Sequence, residues 1–210
     1  MITYSPMLKS ETSECAELAA QAFATYEYFT NYFPDADRRL DFLRKVIKSE
    51  YLTNYGHAVF LVGKQEGRIV AVTQILPPDY KKPNDFAYLI HGWWRVLAIR
   101  PKEPVNDWLT MDEKAGAYCH QLMKDGMWYI SSLTISPDCQ GQGIGSDIIE
   151  NCIIPYMRQH GGKRMCLFTN SEENVRFYTK LGFEIVDRQT ISYNGHEMGS
   201  WSFTKDIVTA

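Results

Sequence analysis

The chain has 210 residues, and 22 Lys and Arg against 25 Asp and Glu leave a formal net charge of −3. That balance argues against a basic nucleic-acid binder and an acidic tail protein, and 45% hydrophobic with 22% charged residues suits one sizeable core rather than a disordered chain. No apolar run approaches the roughly 20 residues that span a bilayer, and the opening residues lack the basic-then-apolar layout of a signal peptide, so a cytoplasmic protein without membrane contact is expected.

Ile2 to Met7 reads as a first strand, and Ser10 to Glu14 as a capped helix start whose Leu18, Ala19, Ala22 and Phe23 share a core face. A second helix is expected from about Asp35 to Leu52 through Leu40, Leu43, Val46 and Ile47. Between the two lies Tyr26 to Pro34, unusually aromatic for a connection. Two β-branched runs, His57 to Gly63 and Arg68 to Leu76, flank Lys64-Gln65-Glu66-Gly67 as a hairpin that Pro77-Pro78 ends. Residues 79–125 hold helices near Phe86 to Ile99 and up to Met123, separated by Arg100 to Pro104; the segment is too short to bury its own core and reads as an insertion or lid within a single domain.

From Gly126 the pattern runs strand, turn, helix, strand, helix, strand, strand. Trp128 to Ile135 reads as a buried strand, and the helix from Gly143 carries Ile144, Ile148, Ile149, Cys152 and Tyr156 on one stripe, bent or ended by Pro155. Arg164 to Thr169 and Glu172 to Lys180 follow as strand and helix, closed by Gly182 in a left-handed cap. Asn194-Gly195 is a strong hairpin signal between Phe183 to Tyr193 and Glu197 to Lys205.

Five cysteines, Cys15, Cys119, Cys139, Cys152 and Cys166, form no C-x-x-C pair and read as free thiols. The five histidines show neither H-E-x-x-H nor a finger-like spacing, and no metal site is expected. The chemistry points instead to Gln140-Gly141-Gln142-Gly143-Ile144-Gly145-Ser146, which joins a strand to a helix. Glycines let a ligand approach the backbone there, and the free amides and positive dipole end of a helix start suit an anion. The spacing fits neither a P-loop nor a dinucleotide fingerprint.

Read with Asn174 to Phe183, the turn resembles the GCN5-related N-acetyltransferase superfamily, whose members carry Q/R-x-x-G-x-G/A after the fourth strand and an F-Y-x-x-x-G-F-like segment on the following helix. Here these are Gln140, Gly143 and Gly145, and Phe177, Tyr178, Gly182 and Phe183. Within it the chain looks most like the puromycin N-acetyltransferase branch, through Ser136-Pro137-Asp138, the Asn174 to Phe183 segment and the helical stretch before Trp128. The resemblance implies an α/β (α+β) fold: a central mixed, mostly antiparallel sheet of about seven strands flanked by helices, with a helical insertion between the third and fourth strands.

It also implies acetyl-CoA as co-substrate, its pyrophosphate on the amides of Gly141 to Ser146 and its pantetheine arm beside Leu133, Thr134 and Ile135. Asn174 matches an asparagine that reaches toward the coenzyme, although many members place it where Ser171 stands. Tyr178 is the expected catalytic residue, a phenol near the departing thiolate. No carboxylate occupies Trp128 to Ile135, so the general base is either a water chain or one of Glu27, Glu172 and His91. Tyr26, Tyr28, Phe29 and Phe33, with Trp93, Trp94 or Tyr193, are candidate walls for a small, partly apolar amine. Competing readings are a peptide N-terminus or lysine as acceptor, and a non-catalytic acyl-CoA sensor; monomer and homodimer both fit.

Overall fold

The computed structural model describes residues 1–207. Seven strands, β1 (Ile2–Pro6), β2 (Val59–Gln65), β3 (Arg68–Leu76), β4 (Trp128–Ile135), β5 (Arg164–Thr169), β6 (Glu184–Tyr193) and β7 (His196–Asp206), form one sheet in the order β1-β2-β3-β4-β5-β7-β6. Every neighbouring pair is antiparallel except β4 with β5. Both tight hairpins turn on two residues of positive φ, Glu66-Gly67 and Asn194-Gly195, the backbone that matches the twist of the flanking strands. The first turn is therefore shorter than the expected Lys64 to Gly67, because Lys64 and Gln65 still pair with Ile69 and Arg68.

One face of the sheet carries α1 (Thr12–Phe23), the single turn α2 (Glu27–Thr30) and α3 (Ala36–Asn54), which starts where Asp35 accepts the Arg38 amide at 2.8 Å. Phe60, Val62, Ile69 and Val72 turn toward these helices, burying Leu18, Ala19, Phe42, Leu43, Val46 and Ile47. Between β3 and β4 the chain forms α4 (Asp85–Tyr88), a turn over Leu89–Trp93 kinked at Gly92 (φ 103°), α5 (Trp94–Leu97) and the long α6 (Glu103–Lys124). The insertion is helical as expected, but its first helix is broken at Gly92 and the second begins at Glu103, inside the expected break from Arg100 to Pro104. One of them does more than cover the fold: Val105, Trp108, Met111 and Ala115 of α6 are buried in the same core as α1 to α3.

The opposite face is covered by α7 (Ile144–Ile148), a π-type turn over Ile149–Ile153, and α8 (Ile154–Gln159), together with α9 (Glu172–Lys180). Ile144, Ile148, Ile149, Ile153 and Met157 pack on Val70, Ala71, Ile75, Ile130 and Met165. The wide turn stands just ahead of Pro155, whose missing N–H and bulky ring cannot join a regular ladder, so the bend foreseen there falls one turn earlier than the proline. No helix among the described residues is long and apolar enough to cross a membrane.

Candidate active site

Strand β4 is held on one side only. It pairs with β3 from Tyr129↔Leu76 to Ile135↔Ala71, but with β5 only at Trp128↔Met165 and Tyr129↔Cys166, while β5 stays paired with β7 out to Thr169. Beyond Tyr129 the two parallel strands part, and the β5-facing edge of Ile130 to Ile135 has no strand partner. A bulge lies at the parting: Gln74 opposes Ser132 and Ile75 opposes Ile130, leaving Ser131 as the extra residue. Unpaired backbone groups along an edge accept an added extended segment. Leu133, Thr134 and Ile135 lie on that edge.

The open edge runs into the glycine-rich turn. Gly141 (φ 74°) and Gly143 (φ 79°) take left-handed conformations, Gly143 as the residue capping α7, and nothing lies within 4 Å of where a Cβ would stand on either. Gly145 differs: a Cβ there would come 3.1 Å from the Phe177 ring, tight enough that the ring would have to shift by a few tenths of an ångström. The glutamine side chains tie the turn to its surroundings, Gln140 donating to the Ile135 carbonyl and Gln142 to the Asp138 carbonyl, each at 3.2 Å. Asp138 accepts from Ser136 and pairs with Arg68 at 2.7 Å, which holds its carboxyl down at about 2. Tyr4 donates to Asp147 in the first turn of α7, and burial with that carboxylate pushes the Tyr4 phenol up. The first-turn amides of Ile144, Gly145 and Ser146 have no acceptor within the helix.

Asn174 and Tyr178 sit on α9 across the gap. The Asn174 amide donates to Thr169 Oγ1 at 3.1 Å; Tyr26 Oη joins the same hydroxyl at 3.0 Å and accepts the Asn170 amide at 2.9 Å. This network fastens the aromatic connection to the end of β5. The Tyr178 ring packs against Phe177, Phe183 and Phe203 at 5.0, 5.3 and 5.8 Å between centroids, and its hydroxyl bonds to no described side chain. Burial, with a contribution from Tyr26, raises its pKa, so the phenol keeps its proton.

The other sequence candidates disperse. Glu27 and Glu172 are exposed, and His91 lies in the insertion against Ser49 of α3. Phe29 and Phe33 belong to the core, against Trp108 and Phe42; Trp94 is 55% exposed, and Tyr193 is capped by Lys114. Of the aromatic set, Tyr28 is the one whose polar end faces a carboxylate, donating to Asp112 Oδ1 at 2.9 Å.

That contact belongs to a cluster the sequence reading missed. On the helical face bearing α3 and α6, beside the parting of β4, Glu50 Oε1 accepts from Asn54 at 2.7 Å and from Gln74 at 3.3 Å. Tyr80 and Tyr88 close round Asn54, and Tyr51 Oη comes within 3.5 Å of Ser132 Oγ. Burial raises the carboxyls of both Glu50 and Asp112 above their ordinary range, against the opposing pull of Lys82 on each. Both nonetheless keep open surface, so they line a crevice. The signal was present: Glu50 follows Leu43, Val46 and Ile47 at helical spacing, and Asp112 follows Trp108, so each is a carboxylate set in an apolar stripe.

A model of the acetyltransferase (GNAT) family matches residues 22–183. Among solved structures, the chain is similar to a Corynebacterium glutamicum protein described as histone acetyltransferase HPA2 and related acetyltransferase, at 20% identity and a TM-score of 0.66, over 96% of this chain and 94% of that one. An agmatine N-acetyltransferase in its apo form aligns at 17% identity and a TM-score of 0.60, over 98% and 100% of the two chains. The ribosomal-protein-S18-alanine N-acetyltransferase of Escherichia coli aligns at 12% and 0.56, over 100% and 96%. At these identities the likeness is one of fold.

Proposed function

The chain belongs to the GNAT acetyltransferase family, and on that footing we propose that it transfers the acetyl group of acetyl-CoA to the primary amine of a small, partly apolar molecule, by direct attack with both substrates bound. One observation carries the reading: an unpaired strand edge, Ile130 to Ile135, followed by the glycine-rich turn that opens α7.

The residues fit the coenzyme in two independent ways. Left-handed glycines with open space over Gly141 and Gly143 let a pyrophosphate meet the backbone from Gln140 through Ile144 to Ser146, where the helix dipole favours negative charge. The edge of Leu133, Thr134 and Ile135 offers donors and acceptors to the amides of a pantetheine arm, a cofactor version of strand addition. Asn174, already bonded to Thr169, stands at the end of β5 with its carbonyl free to meet the same arm. When bound, acetyl-CoA supplies a thioester activated toward amines. The chain's part is to orient the amine, accept its proton and stabilise charge at the departing sulfur. Tyr178 fits the last task as a phenol that stays protonated.

A cytoplasmic enzyme without metal, nucleic acid or membrane partner accords with this chemistry, and the resemblance to the puromycin N-acetyltransferase branch supports a small acceptor over a protein tail. The test follows coenzyme release with a thiol reagent across a panel of amines. Release that saturates with both acetyl-CoA and a small amine is expected. Saturable acetyl-CoA binding without acceptor-dependent release would instead identify a sensor, and release only with peptides would move the acceptor class.

A further inference from the structure

The crevice between α3, α6 and β4 holds two carboxylates that act on one another. Glu50 takes bonds on Oε1 from Asn54 and Gln74 and a further one from Tyr88; in Asp112, Oδ1 takes the bond from Tyr28. Among the described residues, no side chain donates to Asp112 Oδ2, so this carboxylate is braced through one oxygen and offers the other, while Glu50 is held by three neighbours.

A further polar group points into the same space. Tyr129 is only 4% exposed, its hydroxyl has no hydrogen-bond partner among the described residues, and the Asp112 charge acts on it. It stands at the last pair of β4 with β5, beside the point where the strands part. Glu50 reaches the same level of the sheet through Gln74, which opposes Ser132 next to the bulge. Lys82 is the one cation acting on both carboxylates, yet it pairs with neither and lies over the Tyr88 ring at 5.9 Å. The crevice therefore attracts positive charge, and the chain's own lysine does not neutralise it.

We propose that this crevice is the acceptor site and that it takes an amine carrying a second positive centre: Glu50 receives the proton of the attacking ammonium, and Asp112 holds the second cation. The inference rests on the acetyl-transfer reading. Tyr80 and Tyr88, both partly exposed, give the acceptor's carbon chain an aromatic wall and its charges π faces.

The balance is simple. The ammonium gives one proton to Glu50; the freed nitrogen forms a C–N bond to the acetyl carbon as the C–S bond breaks. The sulfur leaves with the electron pair, the second N–H proton makes up the thiol, and the Glu50 proton passes to solvent. Burial keeps both carboxyls less acidic than in water, which brings Glu50 closer to the working pH of a base. The groups facing it are Tyr51, Tyr80, Tyr88, Lys82 and Asp112; those facing Asp112 are Tyr28, Tyr32, Tyr129, Lys82 and Glu50.

The test is calorimetry on the coenzyme A-loaded protein, titrating butylamine and diaminobutane, with the propyl to hexyl diamines as a length series. The wild type is expected to bind its best diamine about tenfold more tightly than the matching monoamine. Asp112→Asn should abolish that preference, and Asp112→Glu should restore it with the optimum moved to a shorter diamine, a shift that a merely structural residue does not produce. Glu50→Gln should lower kcat and remove the acidic limb of the kcat profile, with Glu50→Asp recovering part of both. Equal affinity for mono- and diamines, or a preference that survives Asp112→Asn, overturns the inference. Failure of the protein to bind acetyl-CoA at all overturns the acetyl-transfer reading instead, and with it this one; turnover of monoamines alone overturns only the dication.

Discussion

Tyr178 shows how burial chooses between two kinds of help at a leaving group. A free thiol has a pKa of about 8.5, and the Tyr178 phenol, packed against Phe177, Phe183 and Phe203, is pushed above its ordinary 10.0. Full proton transfer to a thiolate would therefore run uphill, so in the proposed reaction the hydroxyl would serve as a hydrogen-bond donor while charge builds on sulfur. Tyr178→Phe keeps the ring packing and is expected to lower kcat by about 100-fold with little change in acetyl-CoA affinity. An unchanged kcat with a good acceptor would remove the residue from the mechanism. At this scale the sequence was legible where a residue sits in a recognisable string, as Tyr178 does in Phe177-Tyr178 followed by Gly182-Phe183. Glu50 and Asp112 escaped because a carboxylate on a helix reads as solvent-facing until its place in the apolar stripe is counted.

Among the elements, the turn before α7 carries the sharpest distinction. At Gly145 a side chain would press on the Phe177 ring, whereas Gly141 and Gly143 are glycines because of their backbone. Gly143→Ala should cost about 1 kcal/mol for its left-handed conformation and also weaken acetyl-CoA binding by misdirecting the first-turn amides. Gly161→Ala, at φ 78° after α8 and equally open, should cost similar stability and leave coenzyme affinity intact. Denaturation and binding measured on both variants separate the two effects; equal loss of affinity in both would mean that the turn does not bind the coenzyme. Period and turn chemistry made β4, α9 and the Asn194-Gly195 hairpin readable from the chain. The parting of β4 from β5 was not readable from composition, because it depends on which edges find partners across 30 or so residues of intervening helix rather than on local preference.

For the molecule as a whole, a formal charge of −3 conceals where charge matters. The anionic ligand of the proposed reaction would meet backbone amides on one face of the sheet, and the two half-buried carboxyls lie on the other. Folding raises the pKa of Glu50 above 4.5 and of Asp112 above 3.8. Their contribution to stability is thus full below those ordinary values and is lost as pH rises through the folded ones. Without an amine bound, Glu50→Gln and Asp112→Asn should therefore melt above the wild type at neutral pH, with the advantage shrinking as the solution is acidified. Melting curves that coincide at every pH would show that these carboxyls carry no burial penalty. Stability given up at a site in this way is what a binding function exacts.

Whether the open edge of β4 and the glycine turn together hold acetyl-CoA is decided by a crystal structure of the protein grown with acetyl-CoA. Pyrophosphate density is expected against the amides from Gly141 to Ser146, with the pantetheine arm paired along Leu133 to Ile135 and the thioester sulfur near Tyr178 Oη. A pyrophosphate seated elsewhere, with the edge of β4 still bare, would contradict this placement.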